Sequence, residues 1–132
     1  MRVIPVAAAL ILCSSALASS PSELEQLLDT IRAGIRDFQT VVSCESGVPA
    51  RGPTPSLKPL VGLSAKRVVQ ELGLPRVCEL RNQDFEKCIT WGKLQYGLDA
   101  RCEGWRGGGN RELTMLLDVD DNVFYVRWTF AR

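Results

Sequence analysis

The sequence predicts an α+β fold: a small antiparallel sheet packed against a short helix, plus a long N-terminal helix, stapled by two disulfides. Three observations lead to this prediction. Residues 112–130 alternate between two faces on either side of a polar turn, residues 24–42 carry an apolar stripe at helical spacing, and four cysteines follow an N-terminal leader. Together they indicate one small exported domain.

Residues 1–18 have the features of a secretory signal peptide. A basic second residue precedes an apolar run over residues 3–12, and Ala16-Leu17-Ala18 supplies an A-x-A cleavage site. The run is too short to span a membrane. Cys13 allows a lipoprotein signal as the alternative, but Leu12 is not the small residue that lipid attachment prefers. We therefore expect a periplasmic or secreted protein, and the pattern disfavours a lipid anchor in the outer membrane.

Charge and composition argue against several functions. The 16 basic and 15 acidic residues balance once Arg2 leaves with the signal, so no electrostatic field remains to hold nucleic acid. The chain has no histidine, and therefore no Ser/His or Cys/His nucleophile and no histidine metal site. Asp118, Asp120 and Asp121 lie in a turn with no second acid fixed opposite them. We predict a protein that is not an enzyme and holds no cofactor or metal.

The mature chain contains an even number of cysteines, which in an exported protein indicates two disulfides. Cys78 and Cys88 lie near the two arms of a predicted hairpin and could face each other, which would leave Cys44 to join Cys102. The sequence alone leaves the connectivity open. Each bridge would stabilise the fold by about 2 to 4 kcal/mol through its constraint on the unfolded chain.

Residues 19–47 are predicted to form an amphipathic N-terminal helix. Ser20 offers an N-cap, followed by Pro21 and by Glu23 three residues after the cap. Gly47 can end the helix or the turn after it. The apolar stripe consists of Leu24, Leu28, Ile31, Ile35, Phe38 and Val42.

Residues 48–59 contain four prolines and one glycine, which exclude a helix or a central strand. We expect an extended linker, with a polyproline ligand for a partner as the alternative.

Residues 60–132 are predicted to form the α+β domain. Ser64 caps a helix with an apolar side at Val68, Val69 and Leu72, which Gly73 and Pro75 bring to an end.

A small antiparallel sheet of three to five strands is expected in this domain. Residues 76–80 and 85–91 would form two of them around an Asn82-Gln83-Asp84 turn, and residues 93–102 a third strand or a long one. A loop with three consecutive glycines leads to the closing hairpin, which turns at Asp120-Asp121-Asn122.

Alternation divides this sheet into two faces. One face would be covered by a helix and collects Leu94, Tyr96, Leu98, Phe124, Val126, Trp128 and Phe130. The other face is predicted to bind a protein partner, because it carries polar and aromatic residues of the kinds that interfaces use. Its members are Gln95, Asp99, Arg101, Tyr125 and Arg127, with Trp105 able to swing over them on its glycine loop.

The helix VGLSAKRVVQELGLP and the hairpin ELTMLLDVDDNVFYV resemble the SmpA/OmlA (BamE-like) family of outer-membrane assembly proteins. The matching positions are Gly62, Ser64, Val68, Leu72, Gly73, Pro75, Trp91, Leu113, Asp118 and Val123. The same order of elements is similar to the repeat unit of β-lactamase inhibitory protein, in which a disulfide bridges the hairpin after the helix. Both resemblances imply a non-enzymatic protein-binding module outside the cytoplasm.

Two functions follow from these resemblances. The first is a role in cell-envelope or outer-membrane assembly, in which the partner is an envelope component. The alternative is a soluble periplasmic inhibitor or immunity protein that blocks a hydrolase or a toxin through its sheet face. The identity of the partner and the oligomeric state do not follow from the sequence.

Overall fold

A computed structural model of the chain describes residues 22–81, 84–88, 92–104 and 109–131. The predicted signal peptide, Cys13, Trp91 and Trp105 lie outside the described residues, as do Asn82 and Gln83 of the predicted turn. Within the described ranges, the predicted α+β class is confirmed: helices pack on an antiparallel sheet, and two disulfides tie the chain together. No helix in these ranges is long and apolar enough to cross a membrane.

The first helix, α1, spans Glu23–Phe38. Its N-cap is Ser22, whose hydroxyl accepts the Glu25 N–H, so the predicted cap at Ser20 is wrong by two positions. The helix also ends earlier than predicted, because the chain after Phe38 turns into strand β1, Val41–Val42. The inward side of α1 buries Leu27, Leu28, Ile31 and Gly34.

Residues 48–57 form neither a helix nor a strand, as their prolines predict, and a short 3₁₀ helix follows at Lys58–Leu60. The segment is more than a spacer, because it packs onto the rest of the molecule. Leu57 and Leu60 are buried in the main core, and the carbonyl of Pro55 accepts the indole N–H of Trp128 at 2.9 Å. The Pro-rich segment therefore belongs to the folded unit.

Helix α2 spans Ala65–Leu72 and confirms the prediction from its capping signals. The Ser64 hydroxyl accepts the Arg67 N–H at 3.1 Å. Gly73 ends the helix with φ 86°, a backbone conformation that side chains with a Cβ disfavour.

The next two elements are helices and not the predicted strands. Helix α3 spans Arg76–Arg81 directly after Pro75, and α4 spans Phe85–Cys88. The Asp84 carboxylate accepts the Lys87 N–H at 3.1 Å, a capping bond that gives α4 a local start signal. Short apolar runs do not distinguish a strand from a buried helical turn, which explains the error.

The main sheet has three antiparallel strands in the order β2-β4-β5: Lys93–Gly97, Arg111–Leu117 and Val123–Phe130. The predicted third strand breaks at Asp99, where φ is 79°, and resumes as β3, Arg101–Cys102. Strand β3 pairs in parallel with β1.

The turn between β4 and β5 forms where it was predicted. The Asp118 carboxylate accepts the N–H groups of Asp120 and Asn122 at 2.8 and 3.0 Å, and Asp121 adopts φ 60°. These bonds give the Asp-rich sequence a structural role in the turn.

One core joins the helices to the sheet. It contains Leu28 and Ile31 from α1 and Val68 from α2, packed with Leu94 and Leu113 from the sheet. At Gly34 the helix approaches the residue after β2 so closely that an added Cβ would lie 2.5 Å from Leu98 Cδ2. The long helix is thus a structural part of this domain.

Both disulfides join the pairs that the hairpin argument suggested. Cys44 bonds to Cys102 and so fastens the segment after α1 to strand β3. Cys78 bonds to Cys88 and ties α3 to α4 instead of bridging two strands.

Candidate protein-binding surface

The face of the main sheet opposite the core is the candidate protein-binding surface, and we call it the outer face. Strand register defines it: Gln95 pairs with Thr114, which pairs with Arg127, and Leu116 pairs with Tyr125 in the next row. Glu112 and Thr129 form the row on the other side. The side chains of these rows project from the same side of the sheet.

Part of the outer face is covered. Thr114, in the central strand, is only 3% exposed, and α3 contacts the neighbouring strand β2. Arg76 at the start of α3 donates to the Glu112 carboxylate at 3.4 Å, and the Gln95 amide donates to the same carboxylate at 2.7 Å. Gln95 is therefore half-buried in a hydrogen-bonded cluster beneath this helix.

The outer face is open along β5. Tyr125 is 46% exposed and Arg127 is also exposed, two residues apart on the same strand. Tyrosine and arginine are enriched among the residues that dominate binding energy in interfaces. These two residues are the predicted contacts that the structure brings together on an accessible surface.

Asp99 was predicted as a partner contact, but it lies inside the fold at 5% exposure. Its carboxylate pairs with Arg111 at 2.8 Å and also accepts the backbone N–H of Gly52 at 3.5 Å. Burial alone would raise the pKa of Asp99. The hydrogen bonds and the positive charge of Arg111, together with the Gly52 N–H, have a larger effect than burial and lower the pKa of Asp99 below its ordinary value. Asp99 is thus a buried structural carboxylate.

Arg101 is also held within the molecule. It donates its Nε–H to the Phe38 carbonyl at 2.7 Å, and its guanidinium lies 4.8 Å from the centre of the Phe38 ring. A cation over an aromatic face is attracted by the ring quadrupole. Arg101 therefore anchors the end of α1 to β3 and lies outside the rows of the outer face.

Two aromatic residues of β5 are exposed although their alternation predicts that they are covered. Phe124 and Phe130 were assigned to the covered face, but they are 56% and 57% exposed. At Phe124 the cause is a register shift, because Leu117 pairs with Val123 while Leu116 pairs with Tyr125. At Phe130 the cause is position, since it pairs with Arg111 at the end of the sheet beyond the core. Alternation alone reveals neither effect.

Polar groups elsewhere in the described structure are largely structural. The buried Tyr96 donates its hydroxyl to the Gly73 carbonyl at 2.8 Å, and burial raises the pKa of that phenol above its ordinary value. The described residues contain no group of three or more His, Cys, Asp or Glu that could hold a metal ion.

Comparison with known proteins adds no relative. Searches of protein-family models, curated proteins and solved structures each found no match to this chain.

Proposed function

We propose that this chain is a non-enzymatic periplasmic protein-binding module of the SmpA/OmlA (BamE-like) type, with a role in cell-envelope or outer-membrane assembly. The observation that carries the proposal is the accessible half of the outer face. There Tyr125 and Arg127 project from strand β5 and are exposed to solvent. The partner is a protein component of the envelope.

The scaffold suits such a role because the contact residues are placed on a rigid element. Strand β5 pairs along its length with the central strand β4 and contributes Val123 to the core. Side chains held on a rigid strand lose less conformational entropy on binding than side chains on a mobile loop. Tyr125 and Arg127 are thus preorganised to meet a partner.

Binding rather than catalysis is supported by the chemistry that the chain offers. The sequence has no histidine, and its four mature cysteines are joined in disulfides, so none of the four supplies a thiolate nucleophile. The buried carboxylate of Asp99 is already paired with Arg111.

The second candidate is a soluble periplasmic inhibitor or immunity protein that blocks a hydrolase or toxin through its sheet face. Two disulfides favour it, because they fasten both β3 and the α3–α4 segment and so keep a small domain rigid. Rigid, disulfide-stapled domains are common among small exported proteins.

The two candidates differ in where the protein is found and in what it binds. Cell fractionation should place an assembly protein with the membranes and an inhibitor in the soluble periplasmic fraction. Affinity capture from an envelope extract, followed by mass spectrometry, should then identify either an outer-membrane component or a single hydrolase or toxin.

Alanine variants test whether the outer face is the binding surface. Tyr125→Ala, Arg127→Ala and Trp105→Ala are compared with Lys66→Ala, an exposed position on α2. Loss of a true anchor should cost about 2 kcal/mol of binding, roughly thirtyfold in affinity for the captured partner. If all three variants bind normally while substitutions on α1 abolish binding, the outer face is not the recognition surface.

A further inference from the structure

Strand β5 forms one edge of the main sheet. With 8 residues it is the longest strand that the structure describes. It pairs with β4 on one side, and on the other side the backbone of its first residue, Val123, bonds to Gly62 and Leu63. The opposite edge strand, β2, has 5 residues and is contacted by α1 and α3. The 3₁₀ helix at Lys58–Leu60 also contacts β5, so the open part of its edge is the part of the strand after Val123.

The hydrogen bonds of β4 determine which backbone N–H and C=O groups of β5 point toward β4 and which point away from the sheet. The Arg111 carbonyl accepts from Leu98 N, and Leu117 N donates to the Gly92 carbonyl, so the odd-numbered residues of β4 bond toward β2. The even-numbered residues of β4 then bond toward β5, where their partners are Tyr125, Arg127 and Thr129.

Alternation directs the N–H and C=O groups of Val126, Trp128 and Phe130 away from the sheet. Among the described residues, no backbone group bonds to these three. Proteins commonly protect such an edge with proline, with several charges or with a covering segment. From residue 124 to residue 130 the strand has no proline and a single charge, that of Arg127.

We propose that two copies of this chain pair through this edge, β5 against β5 and antiparallel, about a twofold axis at Trp128. In this register Val126 faces the second copy's Phe130, and all three outward residues of each strand pair, giving about six hydrogen bonds. The proposal goes beyond the proposed function and does not depend on it.

The sequence of β5 favours its own copy in this register. Arg127 would lie opposite Thr129 of the other strand, so no like charges meet. A register centred on Arg127 would set the two guanidinium groups directly opposite each other, which is unfavourable in a sheet. The exposed ring of Phe130 would pack beside Val126 of the other strand and lose water contact.

Pairing of this kind would produce one continuous six-stranded sheet. The axis runs perpendicular to the sheet, so the outer faces of the two copies lie on the same side. Tyr125 and Arg127 would then be present twice on one surface. An edge-to-edge contact is small compared with the roughly 1,600 Å² of a standard interface, so we expect a dissociation constant of about 100 µM.

Hydrogen exchange on the purified mature protein alone tests the pairing. Amide exchange is followed by NMR at about 10 µM and about 1 mM, alongside sedimentation equilibrium, because mass action populates the dimer only at the higher concentration. We expect the amides of Tyr125, Arg127 and Thr129 to be protected at both concentrations. The amides of Val126, Trp128 and Phe130 should become protected only at the higher one.

Two matched variants identify the contact. Phe130→Lys places a charge inside the paired segment, whereas Phe124→Lys changes an equally exposed phenylalanine outside the three paired positions. We expect Phe130→Lys to weaken the dimer at least tenfold and Phe124→Lys to change it less than threefold.

A protein that stays monomeric at about 1 mM overturns the proposal, as does a dimer whose outward β5 amides still exchange rapidly. Protection of those amides only when the captured envelope partner is added would also overturn it, because the edge would then accept a foreign strand. The concentration series on the purified protein contains no partner, so its failure leaves the proposed function untouched. Loss of partner binding in the alanine variants likewise leaves the dimer untouched.

Discussion

Asp99 and Arg111 form an ion pair inside the fold, with 2.8 Å between Oδ1 and Nη2 and with side chains only 6% and 4% exposed. The pair joins the bend after β2 to the first residue of β4. Arg111 also donates to the Pro53 carbonyl, and its guanidinium lies 5.5 Å from the centre of the Trp128 ring. One arginine thereby links the bend, the Pro-rich segment and strand β5.

Removal of the arginine should destabilise the protein strongly. Arg111→Met leaves the Asp99 carboxylate buried without its charged partner, and loss of one member of a buried pair costs about 3–5 kcal/mol. We expect the free energy of unfolding, measured in urea, to fall by that amount. The double variant with Asp99→Asn should be less destabilised than Arg111→Met alone, because it removes the unpaired charge as well.

The exposed Arg127 provides the control for this measurement. Arg127→Met should change the free energy of unfolding by no more than about 0.5 kcal/mol. A loss below about 1 kcal/mol for Arg111→Met would show that the buried pair is not a major contributor.

The lowered pKa of Asp99 predicts a pH dependence of stability. Because the pKa is lower in the folded than in the unfolded protein, the stabilisation is fully present above the unfolded value of about 3.9 and is lost as pH falls through the folded value. Asp99→Asn cannot titrate and tolerates the positive φ at this position. The difference in unfolding free energy between wild type and this variant should be constant above about pH 5 and narrow below about pH 4.

Urea unfolding at several pH values between 3 and 7 measures this difference. A gap between the two proteins that stays constant over the whole range would mean that Asp99 has the same pKa in the folded and unfolded states.

The sequence predicted those elements whose signals are local. Ser64 and Gly73 mark both ends of α2, and the Asp118 turn joins two strands with clear alternation. In each case the residues that determine the structure lie within a few positions of one another, so no tertiary contact is needed to read them.

The predictions that the structure contradicts depend on contacts between residues that are distant in the sequence or on the register of the strands. Asp99 alternates with apolar residues, a pattern that predicts an outward side chain. Its partner Arg111 lies beyond a glycine-rich loop, so spacing does not predict the pair. The exposure of Phe124 depends on a register shift in the hairpin. The helices after Pro75 carry short apolar runs that fit a strand equally well.

The two disulfides should contribute unequally to stability. Cys44 and Cys102 are 58 positions apart, whereas Cys78 and Cys88 are 10 apart. The loop-closure entropy that each bridge removes from the unfolded chain then corresponds to a stabilisation of about 4 kcal/mol for the first bridge and about 3 kcal/mol for the second. We expect Cys44→Ser with Cys102→Ser to lower the urea midpoint more than Cys78→Ser with Cys88→Ser.

Intact-mass measurement of the mature protein, alkylated with and without prior reduction, verifies that both bridges form. Four alkylated cysteines without reduction would contradict both disulfides. A larger destabilisation from removal of the short bridge would show that the α3–α4 segment matters more to the fold than loop length implies.

Trp128 should control how firmly the Pro-rich segment is held on the sheet. Trp128→Phe keeps an aromatic ring but removes the indole N–H that donates to the Pro55 carbonyl, which should cost about 1 kcal/mol. Local opening of the segment should rise correspondingly, by roughly fivefold. Limited trypsin digestion reports this opening, because Arg51 precedes glycine and is cleavable while Lys58 precedes proline and resists cleavage.

We therefore expect cleavage after Arg51 to accelerate by about fivefold in Trp128→Phe under conditions where global unfolding is negligible. Tyr125→Phe, which removes a hydroxyl from the outer face of the same strand, is the matched control and should leave the rate unchanged. Equal cleavage rates in wild type and Trp128→Phe would mean that the buried Leu57 and the Arg111 contact with Pro53 hold the segment without the indole bond.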